Sequence, residues 1–520
     1  MTQVETVPKP RRNVELALLL LALTIGIGAK FLVAITMDEP FDRTYYTDAA
    51  LLAGVSLAFH IVLRLRVRFA DPFILPIVVA LNGLGMAMIH RLDLVDGGPP
   101  AEDRQLMWTL VSMVAAMAVL WLLRDHRRLR QLTYLSLVIS VILLFLPLIP
   151  GFGMTINGAR IWVNLGFASF QPAEIAKITL AIFFAGFLAN NRDLILLAGR
   201  RIGPLQLPRA RDLGPMFIAW IVAIGVLIVQ NDLGTSIMFF GLFMGMIYVA
   251  TSRLSWIIIG LGLVAVGGYL AYMFVPHVTQ RVEIWLNAFD PEIYARQFGG
   301  SDQIVQGLFG LTNGGLTGTG FGSGLPNRVP LSNSDMIIAA FGEELGFIGL
   351  SAMLLLYLLL FSRFMRAGLG TRDAFGKLLS VGFAVVLVLQ IFVVVGGMTR
   401  VIPMTGLTTP FLAAGGSSLL ANWLIIALVL LISHAARRPL VVGPMVNVSG
   451  ADSAGTENPA RPGGPAGSGH AEGPGAAGPK RPVAKPPSPA ERTQHHVPTH
   501  VSRGTGPQER TSGPTSGGVR

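Results

Sequence analysis

The sequence predicts an all-α integral membrane protein, and three observations carry that prediction. Apolar residues make up 52% of the 520, and only 13% are charged, against about 25% in an ordinary soluble domain. Apolar runs of about 20 residues recur along most of the chain, each long enough to cross a bilayer. Lipid offers no partner to an unpaired N–H or C=O, so such runs must be helices.

About twelve spans follow in order, near residues 14–36, 46–63, 72–90, 106–123, 131–149, 174–189, 213–229, 234–250, 256–275, 336–362, 378–397 and 411–433. The first run lacks a small-residue cleavage site and reads as a retained span behind a short N-terminal segment, residues 1–13. The sixth is short, and only Gln230-Asn231-Asp232-Leu233 separates the seventh from the eighth. Together the spans form one membrane domain, residues 14–436.

Positive charge sets the expected orientation. Arg64, Arg66 and Arg68, then Arg124, Arg127, Arg128 and Arg130, crowd alternate connections, while the intervening ones carry fewer, Arg43 in one and Arg91 with Arg104 in the next. The crowded side is cytoplasmic by the positive-inside rule, which places both termini inside. The net charge of +11 is explained by that bias and calls for no nucleic-acid partner. Cysteine is absent, excluding disulfides, thiolate metal sites and thiol chemistry. Residues 437–520 turn abruptly to Gly, Pro, Ala and Ser, a composition that cannot bury a core and predicts a disordered cytoplasmic tail.

Polar groups inside apolar spans are expensive, about 2.5–3.5 kcal/mol for a charge at a span's centre. Gln171-Pro172-Ala173-Glu174-Ile175-Ala176-Lys177 opens the sixth span. Its proline suits a helix start. Glu174 and Lys177, three residues apart, share a face and can pair, either to ease insertion or to line a polar cavity. Arg160 and Trp162 stand just before it at the interface. Asp232 lies in the tight polar break, which also reads as an ordinary Asn/Asp/Gly turn. Glu343 and Glu344 are adjacent carboxylates in the tenth span, where packing alone explains them poorly.

The longest excursion, residues 276–335, falls on the outer face. It holds Asp290, Asp302 and Asp335, the basic residues Arg281 and Arg296, and the run Gly318-Thr319-Gly320-Phe321-Gly322-Ser323-Gly324. No strand precedes that run, so it is not a nucleotide loop; backbone flexibility or close approach to an anion is its expected use. Asp290, followed by Pro291, is the foremost candidate for a general base, a role needing a carboxylate near its acceptor hydroxyl. A solvated loop aspartate is the plainer reading of the same residue.

Five strings in order, GARIWVNLGFASFQPAEIAK (158–177), QNDLGTS (230–236), GGLTGTGFGSG (314–324), NSDMIIAAFGEELGFIG (333–349) and TGLTTPFLAAGGSSLL (405–420), resemble the SEDS family (shape, elongation, division and sporulation), the RodA/FtsW group. The resemblance implies a ten-span core, with segments two and three as the addition. It implies a peptidoglycan glycosyltransferase of the bacterial cytoplasmic membrane that polymerises lipid II on the outer face, most like the elongation branch. A class B penicillin-binding protein is the implied partner and Mg²⁺ or Mn²⁺ the implied ion. On the motif positions the catalytic carboxylate is Asp290, with Asp302 as the alternative because the stretch between Asp290 and Gln303 is about four residues longer than usual. Arg160, Glu174, Lys177 and Asp232 line the implied cavity, and Asp335 and Glu343 flank it. A charge-lined cavity also suits a lipid II flippase, and a scaffold recruiting a penicillin-binding protein is a third reading.

Overall fold

The protein is seen here as a computed structural model that describes residues 10–439, apart from 97–99, 157, 165, 167–168, 192–198, 203–204, 209–213 and 297–298. The expected C-terminal tail, beyond its first residues, and positions 1–9 lie outside that range. Each of the twelve predicted segments is a helix. Nine come first: α1 (Arg12–Thr36), α2 (Arg43–Arg66), α3 (Ile74–Asp96), α4 (Ala101–Leu122), α5 (Thr133–Phe145), α6 (Pro172–Asn190), α7 (Gly214–Val229), α8 (Leu233–Thr251) and α9 (Ser255–Phe274). Two helices of the long excursion follow, α10 (Pro276–Leu286) and α11 (Asp302–Gly314), then the last three spans, α12 (Ile337–Gly370), α13 (Ala374–Met398) and α14 (Gly416–Arg437). Ten are long and apolar enough to cross a membrane, and α5 and α7 are the shorter apolar helices.

Burial sorts the spans. In its most apolar 18-residue window α3 is 94% buried, against 39% for α1, 33% for α2 and 6% for α9. A helix apolar on every face belongs at the centre of the bundle or in lipid; α3 takes the centre and α9 the periphery. Small residues permit the closest approach, as expected where hydrophobic driving force between spans is weak. Gly26 of α1 and Gly83 of α3 meet backbone to backbone, and a Cβ on either would lie 2.8 Å from the other's Cα.

The excursion is more ordered than a bare loop. Besides α10 and α11 it contains a single turn, Pro291–Tyr294. Its end of the bundle is called the loop side below. A short antiparallel sheet, β1 (Gly153–Ile156), β2 (Ala159–Asn164) and β3 (Ser169–Phe170), connects α5 to α6. Ala159–Asn164 is half-buried along most of its length, and an all-helical reading passes over it.

The glycine run departs furthest from expectation. α12 is broken at Gly346, whose φ of 65° and ψ of −170° lie in a region open essentially to glycine alone. The backbone groups loosened there pair with the segment after α11. Phe347 N–H donates to Gly315 O (3.0 Å) and Ile348 N–H to Leu316 O (3.1 Å), while Thr319 and Gly320 N–H donate to Glu343 O and Glu344 O (both 3.0 Å). A Cβ on Gly318 would lie 2.2 Å from Glu344 O. Gly318 thus serves close approach to another stretch of backbone.

Candidate functional site

The connection between α13 and α14, residues 399–415, is the hub around which the polar residues gather. α6 meets the start of α14 just beyond it, where Gln171 N–H donates to Ser417 Oγ (2.9 Å). Pro172 occupies the first turn, where no N–H is required. One turn on, Lys177 Nζ donates to Glu174 Oε2 at 2.5 Å, and both residues are buried, 1% and 5% exposed.

The turn between α7 and α8 supplies Asp232. Asn231 adopts a left-handed φ of 60°, which asparagine tolerates. Asp232 then caps α8, its Oδ1 accepting Thr235 N–H at 2.9 Å, and its buried Oδ2 has no hydrogen-bond partner. Gly234 lets α8 meet the hub, since a Cβ there would lie 2.7 Å from the Leu407 side chain.

α10 and the start of α12 complete the group. Arg281 donates to Met404 O (2.6 Å) and to His277 Nε2 (3.2 Å). A Cβ on Gly406 would lie 3.4 Å from Asp335 Oδ2 and 3.9 Å from an Arg281 Nη, so the hub's left-handed glycine, φ 76°, fits between them. Asp335 borders a recess of about 10 Å³ with Met398, Thr405 and Gly406, the size of one water.

Electrostatics ties these groups together. Removal from water pushes the Asp335 carboxyl up to about 6 against the pull of Arg281. Burial likewise lowers Arg281, opposed by Asp335 and Asp232. Asp232 is raised by burial and further by Glu174, against its Thr235 bonds and Arg281. Asp335 therefore binds its proton more tightly folded than unfolded. That contribution to stability is full below about pH 4 and is lost as pH rises through about 6. Asp335→Asn is expected to flatten the fall in Tm between those limits, read by thermal unfolding across pH.

The structure thus brings together Glu174, Lys177, Asp232 and Asp335, with Arg281 as the member whose position the sequence does not reveal. Arg160 stands apart. Its guanidinium turns to Ile149 O (3.5 Å), and only its backbone N–H touches the α7–α8 turn, donating to Gln230 O (3.1 Å). Glu343 is engaged elsewhere, accepting from Asn313 (2.9 Å) and Leu325 N–H (3.0 Å). Asp290 is exposed on the loop side and caps the turn that follows it, accepting Glu292 N–H at 2.9 Å. Arg296 pairs with Glu283 (2.8 Å) rather than with Asp290. Asp302 begins α11 and lies within 3.4 Å of Gln306 Nε2. Elsewhere on the loop side, Trp285, Leu286, Leu308, Thr399 and Arg400 wall an open groove of about 400 Å³, within the size range of ligand sites.

No group of three or more His, Asp or Glu among the described residues is arranged to hold a metal ion. Glu174 is matched by Lys177 and Asp335 faces Arg281. These side chains form no cage for a resident divalent ion.

Comparison with known proteins follows the same residues. The profile of the FtsW/RodA/SpoVE family, described as "Cell cycle protein", matches residues 73–438. The chain belongs to this family. It is 45% identical over 462 residues to "Peptidoglycan glycosyltransferase RodA" of Mycobacterium tuberculosis, covering 87% of this chain and 97% of that protein. "Stage V sporulation protein E" of Bacillus subtilis is 31% identical, covering 71% and 98%. A solved structure titled "Structural coordination of polymerization and crosslinking by a peptidoglycan synthase complex" contains a chain 28% identical to this one, at a TM-score of 0.55, covering 71% of this chain and 98% of its own.

The matched range corrects one expectation. It begins at Phe73 and contains ten of the twelve spans, so the addition to the family core is α1 and α2, not segments two and three. Hydropathy does not report lateral position: α3 reads like any other span, yet it is the most buried of them.

Proposed function

We infer that the chain is a peptidoglycan glycosyltransferase of the RodA type. The observation that carries the inference is its likeness to mycobacterial RodA across nearly the whole of that protein. The substrate is lipid II, the undecaprenyl-pyrophosphate disaccharide-pentapeptide. The arginine-rich opposite connections support an extracytoplasmic loop side and cytoplasmic termini.

Asp290 is the general base. It takes the proton of the acceptor sugar's 4-hydroxyl as that oxygen bonds to the donor's anomeric carbon, and the bond from that carbon to the pyrophosphate oxygen breaks, the pair leaving with the lipid pyrophosphate. Its carboxylate is exposed on the loop side and so is open to an incoming sugar. Lys177 and Arg281 are the cations of the buried group, suited to an anionic pyrophosphate. A divalent cation would come with the pyrophosphate and one or two carboxylates, the usual manner of Mg²⁺. A class B penicillin-binding protein is the proposed partner.

A flippase reading draws on one specific feature, the interrupted α12, since broken spans mark transporter sites. Here the break is closed by the glycine segment, which favours the polymerase. Purified lipid II given to the solubilised protein with its transpeptidase partner, with and without chelator, tests the reading. Glycan strands lost on chelation are expected. Lipid II crossing liposome membranes with no polymer would replace the polymerase by the transporter.

A further inference from the structure

The two-span addition carries buried charge to the glycine segment. At the loop end of α1, Lys30 donates to Asp48 of α2 (3.0 Å) and to Glu102 of α4. His90, near the end of α3, lies between two carboxylates, with Nδ1 2.6 Å from Glu102 and Nε2 2.7 Å from Glu39 of the α1–α2 connection. Lys30, Asp48, His90 and Glu102 are each at least 90% buried. Charges so placed persist only when matched, and removal of one partner is strongly destabilising.

The next residue, Arg91, points the other way. Its Nε donates to Glu344 (2.9 Å) and an Nη to Gly324 O (2.7 Å), while Arg91 is 2% and Glu344 0% exposed. Glu344 in turn accepts Gly322 N–H at 3.0 Å. α1 touches the same loop, since a Cβ on Gly322 would lie 3.0 Å from the Thr36 side chain. The addition and the glycine segment therefore meet in two ways, through the adjacency of His90 and Arg91 at the end of α3 and through the packing of Thr36 on Gly322. α11 and α12, which the glycine segment joins, begin at Asp302 and two residues after Asp335 respectively.

We propose that Arg91 is a positioning residue for polymerisation, held in place by the α1–α2 addition, and that it sets the glycine segment and with it the starts of α11 and α12. The guanidinium fork spans a carboxylate and a carbonyl at once, a geometry lysine's single ammonium does not reproduce. Arg91 touches neither Asp290 nor the hub, so its loss misplaces groups rather than removing a substrate contact. Displacements of about 1 Å cost up to about 100-fold in rate.

This proposal rests on the glycosyltransferase reading, and its test separates the two. Full-length Arg91→Ala, Arg91→Lys and Lys30→Met proteins are compared with wild type for kcat and KM on lipid II with the transpeptidase partner. Hydrogen exchange is followed at the amides of Thr319, Gly320, Gly322, Phe347 and Ile348. Arg91→Ala is expected to lower kcat about 10- to 100-fold with KM within about twofold, and to speed exchange at those amides at least about tenfold. Arg91→Lys falls between, and Lys30→Met shifts both readouts in the same direction. Unchanged exchange in Arg91→Ala overturns the proposal, as does wild-type turnover in Arg91→Ala. Should that variant not fold, wild-type exchange and kcat in Arg91→Lys does the same. Wild-type values in Lys30→Met remove the addition from it. If wild type itself makes no polymer, the glycosyltransferase reading fails, and exchange still decides whether Arg91 holds the segment.

Discussion

Asp290→Ala is expected to reduce lipid II polymerisation about 100- to 10,000-fold, the range general-base catalysis supplies, while leaving Tm within about a degree or two. The side chain is exposed and makes one capping hydrogen bond, to Glu292 N–H, in a single turn rather than a span, so a surface change of this kind shifts stability little. Asp302→Ala is the informative partner. Asp302 sits in the first turn of α11, where a carboxylate favours the helix by only about 0.3–1 kcal/mol. Asp302→Ala should keep most of the polymerase activity. Loss of activity in Asp302→Ala alone would move the base to that residue. Equal activity in both variants would remove a loop carboxylate from the reaction and revive the scaffold reading.

The second large effect is on stability. Lys177→Met should destabilise the protein by about 3–5 kcal/mol, because it strands Glu174 as an uncompensated charge inside the bundle. The pair is 2.5 Å apart and nearly inaccessible. Replacing both, as Glu174→Leu with Lys177→Met, should restore much of the loss, since a buried ion pair exchanged for apolar residues of like size is often neutral. Activity should not return with stability if the ammonium also meets the pyrophosphate. Thermal unfolding and polymerisation of the two variants side by side check this. A Lys177→Met protein as stable as wild type would mean that Glu174 finds water or a second partner.

Much of this was visible in the residues alone, for identifiable reasons. Every span announces itself because lipid demands helix wherever the chain is apolar for about 20 residues. Glu174 and Lys177 were legible as a pair because three residues is less than one turn, and Pro172 and Asp232 because helix starts have their own chemistry. What stayed hidden depends on partners distant in sequence. Arg281 reads as a loop arginine until Met404 and Asp335 are brought beside it. Glu343 reads as a cavity residue until Asn313 and Leu325 claim it. The strand at Ala159–Asn164 stayed hidden because six residues with three consecutive apolar ones carry no period-2 signal beside runs of 20. The family resemblance supplied the activity, which periodicity and charge leave open between polymerase and transporter.

The break at Gly346 also bears on how the protein is made. A span interrupted along its length would ordinarily leave polar backbone unpaired until some remote helix arrived. Here the groups that close it, from Gly315 to Gly320, leave the ribosome before α12 does and lie about 30 residues away along the chain. The glycine segment can therefore close the break in α12 as soon as that helix emerges, with no gap awaiting α13 or α14. Short sequence separation of that kind is also what makes pairing fast. The partners of the interrupted helix are thus already synthesised when it emerges, so its closure waits on no later part of the chain.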